Sequence, residues 1–453
     1  MNTQSLQTFM ETISGWVWGP YMLVLIVGTG IFLTLRLFFW QIRMLPLAFK
    51  QVFGKHDQAH SHAGDISHFA SLMTALSATI GTGNIAGVAT ACVLGGPGAV
   101  FWMWMTALFG MATKYGEGVL AVKYRIKNEK GEMSGGPMYY IERGLKWKWL
   151  ALIFALFGTL ASFGIGSSVQ SNTVALAVEN STGVATWITG IVITVFSALV
   201  ILGGIKSISK PASFIVPIMA IGYVLGGLII IFNHLELVMP ALELIFRDAF
   251  TGEAVAGGAI GAVIRYGVAR GVFSNEAGMG SAPIAAAAAK TDHPARQGLV
   301  SMTGTFIDTI IVCSITGIVL VMGFIMAGNS FGGETGAVLT THTFNQLLPG
   351  VGGWIVTFGI VFFAYSTILG WCYYGEKCCT YLLGEKYVLL YRLIYIASVF
   401  IGCVASLDLV WLFADTFNGL MAVPNLIALL LLSTVIVKES RDFVEKRKSG
   451  ELY

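Results

Sequence analysis

The sequence predicts an all-α polytopic membrane protein with eleven transmembrane helices: one accessory helix and a 5+5 inverted-repeat core with two unwound helices. Three observations predict it. Of 453 residues, 55% are apolar and only 11% charged, with a mean hydropathy of +0.76, whereas a soluble chain carries about 25% charged residues. Apolar runs long enough to cross a bilayer, about 20 residues each, recur along the whole chain. Two of these runs are interrupted midway by glycine clusters, and each interrupted run heads a set of five.

The runs fall at Trp16–Trp40, Ile66–Val93, Ala99–Val122, Leu150–Val178, Val184–Ile205, Ala212–Phe232, Ala256–Ala289, Leu299–Ala327, Gly353–Cys372, Val388–Cys403 and Leu409–Val437. The ninth merges with a polar tail and can extend to Leu383. Loop charge tests this count. With the tail VKESRDFVEKRKSG on the cytoplasmic side, Arg36, Arg43, Lys50 and Lys55 fall inside. Lys123 to Lys148, Lys206 and Lys210, Lys290 and Arg296, and Lys377, Lys386 and Arg392 follow them, while the alternate loops hold only Arg247. That asymmetry obeys the positive-inside rule and puts the N-terminus outside. An odd number of spans per half forces the second half to run opposite to the first. Residues 1–65 then form an accessory helix and cytoplasmic loop. Residues 66–437 form the core, as repeats 66–233 and 256–437, and 438–453 a cytoplasmic tail. No residue-level likeness between the halves supports the repeat, which rests on topology. The amphipathic LELVMPALELIFRDAF, Leu235 to Phe250, is expected to lie along the outer interface.

Composition excludes several classes. The N-terminal MNTQSLQTFMETISGW lacks a basic n-region, so no cleaved leader is expected. The six cysteines lie in or beside apolar runs without zinc or redox spacing. Basic residues scattered in short loops give no nucleic-acid surface, and neither a Ser/His/Asp arrangement nor HExxH suggests an enzyme. No obligate protein partner is indicated; the environment is the lipid bilayer.

The interrupted runs carry the chemistry. ALSATIGTGNIAGVA, Ala75 to Ala89, places Gly81, Gly83 and Gly87 among Ser77, Thr79, Thr82 and Asn84. Glycine weakens a helix by about 1 kcal/mol against alanine, and unwound backbone at membrane depth must be buried in protein or line a cavity. A half-helix ending there points carbonyls into the gap, and the half-helix that resumes offers amides. A zwitterion suits both, with Gly81, Thr82 and Gly83 giving amides and Thr79 and Ile80 giving carbonyls. The second interruption, GVFSNEAGMGSAPIAAAAA, is expected to break from Phe273 to Gly280, with Ser281 capping the next half-helix, Pro283 in its first turn and Lys290 closing it. Glycines in spanning helices also serve close packing; the matched pair of clusters favours the binding reading. GTGNIAG lacks the βαβ context of a dinucleotide loop.

Other polar residues inside spans have two readings each. Gln170 either faces the ligand or bridges helices. Asp308, in GTFIDTIIV, and Glu276, in the second interruption, are cation ligands or proton carriers; the rival for Asp308 is a structural ion pair with Lys114, Arg265 or Arg270. Ser366 and Thr367, one turn before Trp371, offer hard oxygen ligands to sodium or back-bond within their helix.

GGPGAVFWMWMTALFG, Gly95 to Gly110, resembles the signature of the alanine or glycine:cation symporter family, as do GTGNIAGVA, SGGPMYYIERG and RGVFSNEAGMGSAPIAAAAA. The resemblance covers nearly the whole chain. It implies an architecture similar to the leucine-transporter fold, with core helices one and six unwound. By that resemblance Thr79 and Asn84 help hold one sodium beside the substrate. Ser77, Ile80, Ser366 and Thr367 hold a second. Phe273 and Ser274 offer carbonyls to the substrate ammonium, Ser274 also serving sodium, while Gly278 and Gly280 leave room for backbone approach. Glu276 departs from the small or neutral residue common there, and Thr305 and Asp308 both fit as the first site's partner on core helix seven. Phe273, Met279 and Trp371 are placed to wall the side-chain pocket. The implied function is sodium-coupled symport of alanine and glycine into the cell by alternating access. The alternatives are proton coupling through Asp308 or Glu276 and, more remotely, an ion channel.

Overall fold

A computed structural model describes residues 3–54, 63–253, 260–405 and 408–452; the expected start of the seventh run (256–259) and Lys55 lie outside the described residues. The chain opens with α1 (Thr3–Val17) and α2 (Pro20–Arg36), the latter started by Pro20 where a missing N–H is harmless. Together they form an apolar stretch, Gln7–Arg36, long enough to cross a membrane, beginning nine residues before the apolar run suggested. Short helices α3 (Trp40–Arg43) and α4 (Leu45–Phe53) follow.

The first interrupted run is α5 (His68–Thr79), a 3-10 turn at Thr82–Asn84, and α6 (Ala86–Gly95). Next comes α7 (Ala99–Lys123), whose sequence mixes Lys114 and Glu117 into apolar residues and which packs against α2 and several later helices. A two-residue ladder, β1 (Ile126–Lys127) with β2 (Met133–Ser134), precedes α8 (Pro137–Tyr140). Then α9 (Lys148–Ala161) passes through a π stretch, Ser162–Ser168, into α10 (Val169–Thr182). Helices α11 (Thr186–Ile201) and α12 (Gly204–Asn233) follow.

The amphipathic segment is α13 (Leu235–Thr251), pinned to the start of α7: Gly98 donates its amide to Asp248 Oδ2 at 2.8 Å and Trp102 Nε1 to the Ala249 carbonyl at 3.0 Å. The second interrupted run is α14 (Ile260–Asn275) and the five-residue α15 (Ala282–Ala286). It leads into α16 (Pro294–Thr305), a π stretch at Phe306–Cys313, and α17 (Ser314–Met326). Helix α18 (Gly336–Leu347), which the apolar runs do not mark, reaches back so that Thr340 Oγ1 donates to the Ile85 carbonyl at 3.3 Å. The ninth run does extend, as α19 (Gly352–Leu383), and is followed by α20 (Val388–Val404) and α21 (Asp408–Leu431). The tail helix α22 (Ser433–Lys448) starts inside the region read as the last span.

Among the described residues, seven helical stretches are long and apolar enough to cross a membrane, and α6 and α11 are shorter apolar helices. The interrupted runs fail that measure because their halves are short. Both halves pack deep in the bundle, α5 against α12 and α19 and α14 against α6 and α7, so the unwound backbone is sheltered by protein, as bilayer physics requires.

Candidate functional site

The first break begins where the helical ladder stops. Ile80 still donates to the Leu76 carbonyl at 2.8 Å, but the Gly81 amide turns to Asn84 Oδ1 at 2.9 Å. The Ser77 carbonyl instead accepts Ser366 Oγ from α19 at 3.2 Å. Thr367, the next residue on α19, sits over Gly81: a Cβ there would lie 2.6 Å from Thr367 Oγ1 and 3.5 Å from Gln170 Oε1. Gln170 also accepts a long bond from the Thr82 amide, 3.5 Å, and so faces the break rather than a neighbouring helix alone. The hydroxyls of Thr79 and Thr367 back-bond within their own helices. Buried Thr82 Oγ1 has no hydrogen-bond partner among the described residues.

Asn84 then ties the break to the π stretch between α16 and α17. Its Nδ2 donates to Asp308 Oδ1 at 2.7 Å, and its carbonyl accepts Thr316 Oγ1 at 2.8 Å. Asp308 Oδ2 accepts Ser274 Oγ at 2.9 Å and Thr309 Oγ1 at 2.7 Å. The expected ion pair of Asp308 with Lys114, Arg265 or Arg270 is not formed; neutral amide and hydroxyl donors surround it. The π turn explains why, since its extra residue turns Asp308 and Thr309 together toward the break. Asn84, Ser274 and Asp308 are wholly buried.

The second break is shorter than the glycines suggested. Helix α14 runs through Phe273 and Ser274 to Asn275, and the chain leaves it at Glu276 with φ +53°. Gly83 abuts Phe273 and Ser274, both 3.3 Å from a Cβ built on it, so the two interrupted runs meet at the last turn of α14. Glu276 accepts Trp371 Nε1 at 3.0 Å on one oxygen and the Ser281 hydroxyl on the other. Ser281 stands at the N-cap position of α15 without capping it, because its backbone is already helical, φ −72° and ψ −57°, where a cap needs an extended conformation. Pro283 lies in the first turn as expected. Lys290 does not close the half-helix, which ends at Ala286. Its backbone amide pairs with Ile66 instead, and Arg125 donates to the Ala287 and Ala289 carbonyls at 2.9 and 2.7 Å. Burial lowers the pKa of that guanidinium, partly offset by Asp65.

Gly278, Met279 and Gly280 do not join the first break. Both glycines have left-handed φ, +89° and +84°, and the room beside them is filled by Leu426 and Thr113, and by Phe154, Pro137 and Asn425. Glu117 Oε1 accepts the Gly280 amide at 3.1 Å and Asn425 Nδ2 at 2.6 Å, while the Gly278 carbonyl accepts Asn425 Nδ2 at 2.9 Å. Tyr140 closes the group by donating its hydroxyl to Asn425. Thr305 is buried beside Gly110, its Oγ1 without a partner among the described residues. Sequence reasoning missed Glu117, Asn425, Thr309 and Thr316. Glu117 had a signal, a carboxylate inside a spanning run; Asn425, which follows Pro424, had a weaker one.

Solved structures share this fold. The fold is similar to that of MhsT in complex with L-phenylalanine, with a TM-score of 0.58 at 14% identity over 83% of this chain and 98% of that one. A manganese transporter of Eremococcus coleocola gives 0.50 at 12% over 84% and 83%. The model of the sodium:alanine symporter family matches residues 3–453. The chain belongs to that family. It is 60% identical to the sodium/alanine symporter AgcS of Methanococcus maripaludis over 98% of both chains. To the amino-acid carrier protein AlsT of Bacillus subtilis it is 37% identical, over 96% of this chain and 92% of that one. This family member is thus a multi-pass membrane transporter of leucine-transporter-like fold, not an enzyme.

Proposed function

We propose that the protein couples inward movement of sodium to uptake of small neutral amino acids, alanine and glycine, across the cell membrane. The observation that carries this reading is the oxygen-rich, buried cluster that links the two interrupted runs. Hard monovalent cations take oxygen ligands, and unwound carbonyls at half-helix ends supply them. One cradle draws on the carbonyls of Ser77 and Ile80 with the Ser366 and Thr367 hydroxyls. The other draws on Thr79, Asn84, Ser274 and Asp308. Gly81, Thr82, Gly83, Gln170 and Phe273 border the space between them, with Glu276 and Trp371 beside it.

In this reading the chain has eleven spans with the N-terminus outside, an accessory helix and two inverted halves, residues 66–233 and 256–437. Sodium stabilises the broken α5–α6 segment against α19 and the π stretch. The amino acid then adds its carboxylate to the glycine amides and its ammonium to the α14 end. Tilting of the interrupted helices against the remaining core exposes the load to the cytoplasm. The sodium gradient and an inside-negative potential, about 2.3 kcal/mol per charge per 100 mV, drive it.

The test is uptake of labelled alanine and glycine into proteoliposomes, with sodium replaced in turn by potassium or by a pH gradient. Saturable uptake with sodium alone is expected. Uptake driven equally by protons without sodium, and lost in Asp308→Asn, would establish the proton-coupled alternative.

A further inference from the structure

We propose that Lys114 is a built-in cation that competes with sodium for the carboxylates of Asp308 and Glu276. The inference rests on the sodium-symport reading and adds a residue that it does not use. Lys114 is 3% exposed, and its Nζ has no hydrogen-bond partner among the described residues. A buried ammonium without a hydrogen-bond partner on the protein is costly, and such a group marks a place where something else is expected to sit.

The surroundings identify what that is. Lys114 lies on α7 among residues that face the second break: Gly110 packs on Ala277, Thr113 lies by Gly278, and Glu117 holds the Gly280 amide. Its charge acts on Glu117, Glu276 and Asp308, yet it forms an ion pair with none of them. Glu276 is held by Trp371 and Ser281, and Asp308 by Asn84, Ser274 and Thr309, all neutral donors. Of the other cations nearby, Arg270 lies over the Phe273 ring, 5.5 Å from its centroid. Three buried carboxylates therefore share one ammonium at a distance, and a zwitterionic substrate adds no net charge.

Sodium arriving at Asp308 supplies the missing positive charge and repels Lys114. When sodium leaves, the four-carbon lysine stem lets the ammonium swing onto the vacated carboxylates. The empty carrier then returns with Asp308 partnered in the membrane interior, and Lys114 keeps sodium binding weak enough for release inside.

The experiment compares purified full-length wild type, Lys114→Gln and Lys114→Arg. Sodium dependence of labelled-alanine binding is read first, then net uptake against alanine exchange in proteoliposomes. K114Q is expected to lower the half-saturating sodium concentration about tenfold, the effect of removing one like charge about 12 Å away at an effective dielectric constant of about 20, and to retain exchange while losing net uptake. K114R, which keeps the charge, is expected to stay at or above the wild-type value. A K114Q value unchanged or raised overturns the proposal, as does loss of exchange in parallel with net uptake. Should K114Q not fold, a lowered value in K114R overturns it and a maintained or raised one supports it. Wild-type protein that binds alanine without any sodium dependence would defeat the symport reading instead.

Discussion

Gly81→Ala isolates the contact between the first break and α19. Gly81 has φ −136° and ψ −152°, an extended conformation open to any residue, so the substitution adds no backbone strain. What it adds is a methyl 2.6 Å from Thr367 Oγ1, closer by about 0.8 Å than an ordinary carbon–oxygen contact near 3.4 Å. Thr367 can rotate away only by giving up its 2.9 Å bond to the Phe363 carbonyl, which contributes about 0.5–1.5 kcal/mol. Otherwise the break itself must shift, and overpacking of this kind costs about 1–3 kcal/mol. A mid-range 2 kcal/mol raises the half-saturating sodium concentration about 30-fold. The assay is labelled-alanine binding to purified protein across a sodium titration, with Gly87→Ala as control, since nothing lies within 4 Å of a Cβ at Gly87. Equal sodium dependence in the two variants would refute the placement of Thr367 over a sodium cradle.

Three further outcomes are expected. Asn84→Ala orphans the buried Gly81 amide and removes a donor from Asp308; at about 1–3 kcal/mol for each group left unsatisfied, it should abolish sodium-driven uptake, and normal uptake would count against the site. Trp371→Phe removes the 3.0 Å donor to Glu276 and should lower the thermal midpoint by several degrees in a scan of detergent-solubilised protein, whereas an unchanged midpoint would show that bond to be dispensable. On the tail helix, hydrogen bonds from Lys446 and His293 hold the Asp442 carboxyl below the usual carboxylate range. A depressed folded pKa gives stability that is present above about pH 4, the unfolded value, and is lost as pH falls through the folded value. Asp442→Asn should therefore speed amide exchange in α22 at pH 6 but not in strong acid, where the wild type is protonated too; equal exchange at pH 6 would remove Asp442 from the docking of that helix.

Much of this arrangement was legible in local sequence. Glycine placement marked both breaks, and the alternation of apolar and charged residues marked α13 as a surface helix. Local signals ended where partners lie far apart in the chain. Asn425 is 308 positions from Glu117, so nothing around either residue announces the bracket that holds Gly278 and Gly280. Both ends of α15 departed from the local reading. Ser281 has the right chemistry for a cap, yet its backbone is already helical, and Arg125, from the loop after α7, takes the carbonyls that Lys290 was expected to serve. Of the two readings for Asp308 the ion pair does not form: an acid in an apolar run suggests a charged partner, but Asn84, Ser274 and Thr309 supply neutral ones. The glycines misled by three residues at the second break, where Phe273 to Asn275 complete the last turn of α14.

The account stands on sodium and amino acid sharing one buried oxygen cluster, so that each tightens the other by the same factor. The most direct measurement is equilibrium binding of radioactive sodium to the full-length protein, with and without saturating alanine, in wild type and Asp308→Asn. The account predicts that alanine lowers the sodium dissociation constant at least fivefold, the lower end of ordinary coupling, and that this coupling disappears in the variant. Sodium binding indifferent to alanine, or an Asp308→Asn protein that couples like wild type, would contradict it.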